Sequence, residues 1–226
     1  MTIERRLSGI VLAAGAGSRM GRPKALMRDG AGNPWVQSAV ELLRGAGCDD
    51  VTVVLGAAAA EARGLVPAGA LVVEVPDWAT GQAASLRAGL AAVVARGGEA
   101  AAADARGEAA PAAPAPAPAD ARGEAAPAAP APDAVLITLV DLPELPVSVA
   151  QRVVDGGLGP GILRQAVFGG RPGHPVLIGR DHWPALLAQL AAPSEADRGA
   201  RPYLVAHGVT AVECADLSPG DDVDTP

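Results

Sequence analysis

Residues 9–24 read GIVLAAGAGSRMGRPK, a short aliphatic run followed at once by a loop of small residues. The run at 9–13 has the continuous apolar character of a strand that is buried on both faces, and the glycines after it are typical of a turn. In a parallel α/β sheet, ligands bind beyond the carboxyl ends of the strands. This stretch therefore predicts the fold class and indicates where the chemistry lies.

Similar aliphatic runs alternate with helix-like segments along the rest of the chain. Strands are predicted at residues 51–55, 71–75, 134–140, 162–168, 175–178 and 210–214, and helices at 35–44, 57–65, 85–95, 147–154, 183–190 and 201–206. Such alternation indicates βαβ units. We expect an α/β fold of the Rossmann-like type, a three-layer α/β/α sandwich around a mostly parallel sheet.

Residues 97–132 differ from this pattern. The sequence ADARGEAAPAAPAP occurs at 103–116 and again at 119–132, and the whole segment has no Leu, Ile, Val or aromatic residue. It cannot bury enough apolar surface to offset the entropy of ordering, so we expect a disordered, partly polyproline-like insertion within a single domain spanning 1–226. A repeat architecture is disfavoured, because two copies without a hydrophobic face cannot stack.

Composition excludes several classes of protein. Of 226 residues, 18 are Lys or Arg and 25 are Asp or Glu, which gives a net charge of −7, and no basic cluster exceeds Arg5-Arg6. A nucleic-acid-binding surface is therefore not expected. Cys48 and Cys214 lack the spacing of a zinc site and are interpreted as reduced thiols, with a bridge left open. The apolar run after Arg6 is too short to span a membrane, so we expect a cytoplasmic protein with a small-residue aliphatic core.

Three cationic side chains follow the glycines of the first loop. Arg19, Arg22 and Lys24 are placed to neutralise a polyphosphate that the backbone amides around Gly15 and Gly17 approach. The pattern is neither a dinucleotide fingerprint nor a Walker loop, since their further Gly and Gly-Lys-Ser/Thr signatures are missing. An ordinary glycine-rich turn is the alternative.

The motif at residues 12–24 resembles the signature loop of the nucleotidyltransferases that are similar to molybdenum-cofactor cytidylyl- and guanylyltransferases. Further stretches resemble family motifs in the same order: PDWATGQAASLRAGL at 76–90, LVDLP at 139–143, GHPVL at 173–177, Asp197 with Gly199-Ala200-Arg201, and DVDTP at 222–226. The resemblance covers nearly the whole chain outside the insertion. It implies Mg²⁺-dependent transfer of a nucleoside monophosphate from a triphosphate, with CTP preferred, to a phosphate of molybdopterin, with release of pyrophosphate.

The resemblance also implies site residues. Arg19, Lys24 and Asp141 are the expected catalytic residues, and His174 is expected to contact the acceptor. Asp141, Asp222 and Asp224 are the expected Mg²⁺ ligands; a carboxylate after a buried strand suits this hard cation. Nucleotide contacts are expected from Leu12, Ala13, Ala14, Gly15, Gly17, Lys24, Gln82 and Ser85.

Several alternatives remain open at this point. Asp141 could cap a turn, Asp222 and Asp224 could form a solvated tail, and His174 and Trp78 could be packing residues. The triplet Gln82-Ala83-Ala84 departs from the family pattern, which leaves a guanylyltransferase, or transfer to phospholactate or a sugar phosphate, as alternatives. A noncatalytic nucleotide-binding chaperone of a molybdoenzyme is the alternative outside enzymes.

Overall fold

The computed structural model describes residues 5–18, 20–105, 131–192 and 197–223. The strands in these ranges are β1 (Leu7–Ala13), β2 (Asp50–Leu55), β3 (Leu71–Glu74), β4 (Ala134–Leu139), β5 (Leu163–Phe168), β6 (Arg171–Gly179) and β7 (Thr210–Glu213). The α-helices are α1 (Trp35–Gly45), α2 (Ala59–Ala62), α3 (Gln82–Ala105), α4 (Val147–Asp155), α5 (Trp183–Leu190) and α6 (Arg201–Ala206).

The seven strands form one sheet in the order β3-β2-β1-β4-β6-β5-β7. β1 pairs in parallel with β2 and β4, β2 with β3, and β5 with β7, whereas β6 is antiparallel to both β4 and β5. The predicted α/β fold with a mostly parallel sheet is confirmed. Because β6 is reversed, its amino-terminal half lies beside the carboxyl end of β4.

The central strands are buried on both faces, as their apolar sequences require. All seven residues of β1 are buried, and so are five of the six in β4. The polar exception in β1, Ser8, donates a hydrogen bond from Oγ to Asp50 Oδ2 over 2.9 Å, which satisfies its hydroxyl.

Helices cover both faces of the sheet and complete the three-layer sandwich. On one face, α1 and α4 contribute Trp35, Val36, Val40, Leu43, Val149 and Val153 to the core. On the other face, α3, α5 and α6 contribute Leu86, Leu90, Val93, Trp183, Leu186 and Leu204.

Small residues let helix α3 approach the sheet closely. A Cβ at Gly89 would lie 2.8 Å from Val54 Cγ2, nearer than real Cβ atoms come, and 3.0 Å from Ile10 Cγ2, which is also a tight contact. A small residue at this position of the core therefore allows a short distance between helix and sheet. This close contact holds the amino-terminal end of α3 against the ends of the strands.

Helix α3 corrects the predicted start of the insertion. Residues 97–105, assigned to the disordered segment, continue the helix that begins at Gln82. Ala and Glu have high helix propensity, and a helix that packing has already nucleated extends at little further cost. Most of the remaining predicted insertion, residues 106–130, lies outside the described residues; its last two residues, 131–132, are described.

Both cysteines are buried free thiols, as interpreted from their spacing. Burial raises the pKa of the Cys48 thiol and also that of Cys214, so neither is primed as a nucleophile. None of the helices within the described ranges is long and apolar enough to cross a membrane.

Candidate active site

A cavity of about 490 Å³, the first cavity, lies beyond the carboxyl ends of β1 and β4. The amino-terminal end of α3 and the glycine-rich loop after β1 form its other walls. Its lining comprises Leu12, Ala13, Ala14, Gly15, Ala16, Gly17, Ser18, Lys24, Trp78, Ala79, Gly81, Gln82, Ser85, Leu139, Val140 and Asp141.

The loop after β1 has a conformation that depends on Gly17. Gly17 has a φ of +61°, and a Cβ there would lie 2.0 Å from the carbonyl oxygen of Arg22. The Met20 amide donates to the Gly17 carbonyl over 2.9 Å, and the Ala57 amide donates to the Ala14 carbonyl over 3.0 Å. These contacts fix the loop so that its backbone, rather than bulky side chains, borders the cavity.

Lys24 and Asp141 form an ion pair on the wall of the first cavity. Lys24 Nζ donates to Asp141 Oδ2 over 2.7 Å, and the two side chains are only 17% and 12% exposed. The other carboxylate oxygen, Asp141 Oδ1, is buried and has no hydrogen-bond partner among the described residues. An unpartnered buried carboxylate oxygen is costly, which makes a ligand at this atom the natural explanation.

The first turn of α3 faces the same cavity. Gly81, with a φ of +128°, precedes the helix, and Gln82 and Ser85 lie on its cavity side. The first amides of a helix have no partner within it and carry partial positive charge, which favours an anion. A lysine, a helix start and a backbone loop thus surround one space.

Trp78 lies in the wall of the first cavity and also packs. A Cβ at Gly56 would lie 2.6 Å from Trp78 Cβ, so the indole depends on that glycine for its close approach. The sequence favoured a packing role for Trp78. The structure shows in addition that Trp78 lines the first cavity.

The structure brings most of the predicted site residues together. All eight residues expected to contact the nucleotide line the first cavity with Asp141. Arg19 and Asp224 lie outside the described residues. Asp222 is exposed, but the amide of the next residue, Val223, donates to the Asp141 carbonyl over 3.0 Å. The roles of these residues stay predictions.

Arg22 does not take the position expected of a phosphate ligand. Its guanidinium donates to the Leu26 carbonyl over 3.5 Å, and the residue is absent from the lining of the first cavity. Two residues further on, Lys24 lines the first cavity, so Arg22 and Lys24 have different surroundings.

A second cavity, of about 800 Å³, adjoins the first, and Gln82 lines both. Its lining comprises Gln82, Gln165, Pro172, Gly173, His174, Val176, Asp197, Arg198, Ala200, Arg201, Pro202, Leu204, Val205 and Ala206. His174 therefore lies in the second cavity rather than beside the expected nucleotide residues. The reversed direction of β6 explains this, since it carries His174 to the end of β4.

The imidazole of His174 is half-buried and favours its neutral form. Burial lowers its pKa, while the Ile137 carbonyl and the charge of Asp141 act in the opposite direction. The Ile137 carbonyl can only accept, so Nδ1 carries the proton and donates over 3.3 Å. Nε2 is then left with a lone pair that can accept a hydrogen bond.

Four polar residues of the second cavity were given no role by the sequence: Gln165, Asp197, Arg198 and Arg201. Gln165 lies within an ordinary strand, and no local pattern distinguishes it. The two arginines flank Gly199-Ala200, which belongs to a motif that resembles one of the family. That motif was the sequence feature that could have predicted a role for them.

No group of three or more His, Cys, Asp or Glu side chains is arranged to hold a metal ion in the described parts of the chain. A cation at Asp141 would therefore take few protein ligands. Mg²⁺ is often bound in this way, through one or two carboxylates together with substrate phosphates and water.

Comparisons with known proteins agree with this geometry. The profile of the MobA-like NTP transferase domain matches residues 9–211. Nicotine blue oxidoreductase of Paenarthrobacter nicotinovorans is 31% identical over 231 residues, covering 97% of this chain and 92% of the relative.

Two solved structures of Rv0371c from Mycobacterium tuberculosis H37Rv have a similar fold. One superposes with a TM-score of 0.66 at 24% identity, covering 98% of this chain and 94% of that one. The other, a complex with manganese, has a TM-score of 0.58 at 22% identity and covers 92% of this chain and 87% of that one.

Proposed function

This chain belongs to the MobA-like NTP transferase family, and we propose that it transfers a nucleotidyl group from CTP to a phosphate of molybdopterin and releases pyrophosphate. The observation that carries the proposal is the Lys24–Asp141 pair, 2.7 Å apart, on the wall of a cavity bordered by a glycine-rich loop. A cation and a carboxylate with an unpartnered oxygen meet where a triphosphate would lie.

The first cavity suits the triphosphate. Backbone amides of the loop at Gly15 and Gly17, the first turn of α3, and the ammonium of Lys24 all present positive charge or donors to it. In phosphoryl-type transfer, charge builds up on nonbridging oxygens and on the leaving group, so donors fixed beforehand lower the barrier. We assign Lys24 to that charge, and Arg19 by resemblance.

The chemistry of Asp141 fits a divalent cation. Its Oδ1 is a buried, hard oxygen ligand without another described partner, at the cavity where substrate phosphates would supply further ligands. When bound there, Mg²⁺ would neutralise charge on the triphosphate and orient it. Asp222, close along the chain to the Val223 contact, is the proposed second carboxylate, and Asp224 is a proposed ligand by resemblance alone.

The second cavity is proposed to bind the acceptor. It meets the first cavity at Gln82, so an acceptor held there has direct access to the α-phosphate. Arg198 and Arg201 provide positive charge suited to a phosphate, in excess of the one negative charge of Asp197 in the same lining, and His174 Nε2 can accept a hydrogen bond. Val205 and Pro172 give the cavity an apolar side, which suits a ring system attached to the phosphate.

The base is proposed to lie against the start of the loop. Ala13 and Ala14 are buried with 2% and 4% exposure, and the methyl of Ala14 narrows the space that a glycine would leave. A narrower pocket favours a pyrimidine. A site that pairs the polar groups of one base rejects another by leaving those groups unpaired, so we expect CTP to exceed GTP by about tenfold or more in kcat/KM.

A competition assay tests this proposal. CTP and GTP are supplied at equal concentration with molybdopterin, and the dinucleotide products are separated and counted. Ala14→Gly is expected to narrow the preference for CTP. Predominance of the guanine product would contradict the base assignment, and no product with either base would direct the search to phospholactate or sugar-phosphate acceptors.

Nucleotide binding can be measured without an acceptor. Trp35 and Trp183 are buried with 4% and 6% exposure, whereas Trp78 lines the first cavity. Binding of a triphosphate is expected to change Trp78 fluorescence, and Trp78→Phe should remove that change. Binding with no transfer to any acceptor would favour the noncatalytic chaperone.

A second candidate function is reduction of an organic substrate. It is favoured by the activity for which the 31% identical relative, nicotine blue oxidoreductase, is named. NADH and NADPH oxidation with nicotine blue as acceptor tests it directly. Asp141→Asn separates the two functions, because nucleotidyl transfer needs the metal carboxylate and hydride transfer does not.

A further inference from the structure

Residues 214–223, which we name the C-terminal strap, connect the edge of the sheet to the first cavity. The strap begins after β7, the strand at one edge, and its Cys214 amide donates to the Val167 carbonyl over 2.8 Å. It ends where the Val223 amide donates to the Asp141 carbonyl over 3.0 Å. The strap therefore passes β5 and β6 and reaches the backbone of Asp141, just after the end of β4.

The Phe168 ring provides a fixed seat for the strap. Phe168 is 4% exposed, and a Cβ at Gly220 would lie 2.2 Å from its Cδ2. On the β6 side of the ring, a Cβ at Gly173 would lie 2.7 Å from Cε2. Gly220 also has a φ of +67°, a conformation that other residues rarely adopt. The strap can lie this close to the ring only because residue 220 has no side chain.

Arg171 holds the strap from the solvent side. Its guanidinium donates to the Pro219 carbonyl and to Asp221 Oδ1, each over 3.0 Å. These two partners flank Gly220. Arg171 and Asp221 are both well exposed, so the pair adds less to the position of the strap than the buried ring does.

Asp222 depends on these anchors for its position. Its carboxylate is exposed and forms no ion pair or hydrogen bond with a described residue, so only the backbone around it determines where it lies. That backbone is fixed at Gly220 on one side and at Val223 on the other. A shift at Gly220 would move Asp222 relative to Asp141.

We propose that Gly220, seated on Phe168, is a positioning residue that holds Asp222 within reach of the divalent cation bound by Asp141. The proposal rests on the proposed function, since the cation belongs to that site. Residues that orient a metal ligand without touching the metal usually change its affinity by about 10- to 100-fold. A merely structural glycine would change stability and leave metal affinity alone.

The test uses the full chain and Mn²⁺ as the probe, with free Mn²⁺ followed by its EPR signal. Gly220→Ala is expected to weaken Mn²⁺ binding about tenfold. Gly208→Ala is the matched control: Gly208 has a nearly identical φ of +69° but has nothing within 4 Å of its added Cβ. It carries the same backbone strain and is expected to bind Mn²⁺ as the wild type does.

A double-mutant cycle tests whether Gly220 affects Mn²⁺ binding through Asp222. Asp222→Asn should also weaken Mn²⁺ binding, and adding Gly220→Ala to it should cause no further loss, because both changes remove one ligand. Additive losses would overturn the proposal, and so would Mn²⁺ binding by Gly220→Ala equal to that of Gly208→Ala. Arg171→Ala is an exposed change that leaves the core intact, and it is expected to weaken Mn²⁺ binding about two- to fivefold. This variant tests the proposal if Gly220→Ala does not fold.

Transfer by the wild type is measured separately, so the two proposals fail separately. Unchanged Mn²⁺ affinity in Gly220→Ala and Arg171→Ala, with transfer intact in the wild type, overturns the role of Gly220 alone. A wild type that binds no Mn²⁺ overturns the positioning role, and a wild type that binds Mn²⁺ but transfers no nucleotide overturns the function alone.

Discussion

The two cavities are built in different ways. The first is formed by residues 12–18 with Lys24, by residues between 78 and 85, and by 139–141, which lie at the end of a strand or the start of a helix. The second takes its lining from β5, β6, the turn at 197–200 and α6, together with Gln82. One is made of contiguous motifs at the ends of parallel strands, and the other of dispersed residues that tertiary packing brings together.

This difference fits the separate roles that we propose for the two cavities. A triphosphate presents the same charged groups in every reaction of this kind, so a backbone loop, a helix start and one lysine suffice to bind it. An acceptor has an individual shape, which side chains from several elements must match. Changes in the first cavity should therefore abolish chemistry, whereas changes in the second should alter binding or stability.

The largest expected effect is that of Asp141→Asn. The substitution keeps the shape but removes the charge that binds the cation, so kcat/KM for transfer should fall by about 100-fold or more. Asp133→Asn is the matched control, because Asp133 immediately precedes the same strand at its other end and accepts a hydrogen bond from the Arg6 amide over 3.1 Å. We expect that control to lose stability and retain transfer. Activity of Asp141→Asn within threefold of the parent would remove Asp141 from the site.

Lys24→Ala should have the next largest effect. Removing the ammonium weakens triphosphate binding and slows transfer together, by roughly 10- to 100-fold in kcat/KM, because the charge acts in both the ground state and the transition state. Arg22→Ala is the control in the same loop, since Arg22 is exposed and directed to the Leu26 carbonyl. Steady-state kinetics and Trp78 fluorescence measure the two effects. Loss of thermal stability alone would make Lys24 structural.

The same difference explains how much the sequence could predict. The strands were placed within a few residues, because aliphatic runs bounded by glycine and polar residues mark buried strands directly. Most of the residues predicted to contact the nucleotide line one cavity because chain connectivity already places residues 12–24 close together, and the start of α3 adds Gln82 and Ser85. The antiparallel pairing of β6 could not be read locally, and it is what moves His174 into the second cavity.

Two further misses have physical causes. Residues 97–105 lack large apolar side chains, and on that ground they were predicted to be disordered. They instead continue helix α3, because alanine favours a helix and the packing of Leu86 and Leu90 holds the earlier part of that helix in place. Arg198 and Arg201 line the same cavity as Gln82, and a Cβ at Gly199, which lies between them in the sequence, would be 2.9 Å from Gln82 Oε1. No periodicity along the sequence reports such a contact.

His174 tests the second cavity through pH. Burial lowers its folded pKa below the usual 6.5. As the pH falls below 6.5, the unfolded chain binds a proton that the folded chain refuses, so the folded state loses stability down to the folded pKa. We expect His174→Gln to lose less thermal stability than the wild type between pH 7.5 and 5.5, because glutamine does not titrate in this range.

Thermal midpoints of both proteins at the two pH values measure this difference. Equal losses would show that the His174 ring takes up its proton without cost in the folded state. A larger loss in His174→Gln would contradict the predicted sign. Equal losses would indicate that burial is offset, and a larger loss in His174→Gln would indicate that the Ile137 carbonyl and the Asp141 charge outweigh burial in setting the pKa of His174.

The smallest expected effect comes from shortening the segment that belongs to neither cavity. Residues 106–130 have no Leu, Ile, Val or aromatic residue, so their removal should forfeit little buried apolar surface. The ends can be rejoined, because a Cβ at Gly97 would lie 2.9 Å from Ala131 Cβ, which places the returning chain beside the middle of α3. Ala105 is about 12 Å further along the helix, well within the ~26 Å reach of about eight Gly and Ser residues.

Shortening a loop changes its closure entropy by only about 0.6 kcal/mol per halving, so the thermal midpoint should stay the same or rise by a few degrees. Transfer kinetics should match those of the parent, since the joined ends lie by the carboxyl-terminal half of α3 whereas both cavities lie at its amino-terminal end. A replacement of the segment by a Gly/Ser linker of the native length controls for the linker itself. If the shortened chain kept its thermal midpoint but lost transfer, the segment would take part in acceptor binding, and the two-cavity description would need a third element.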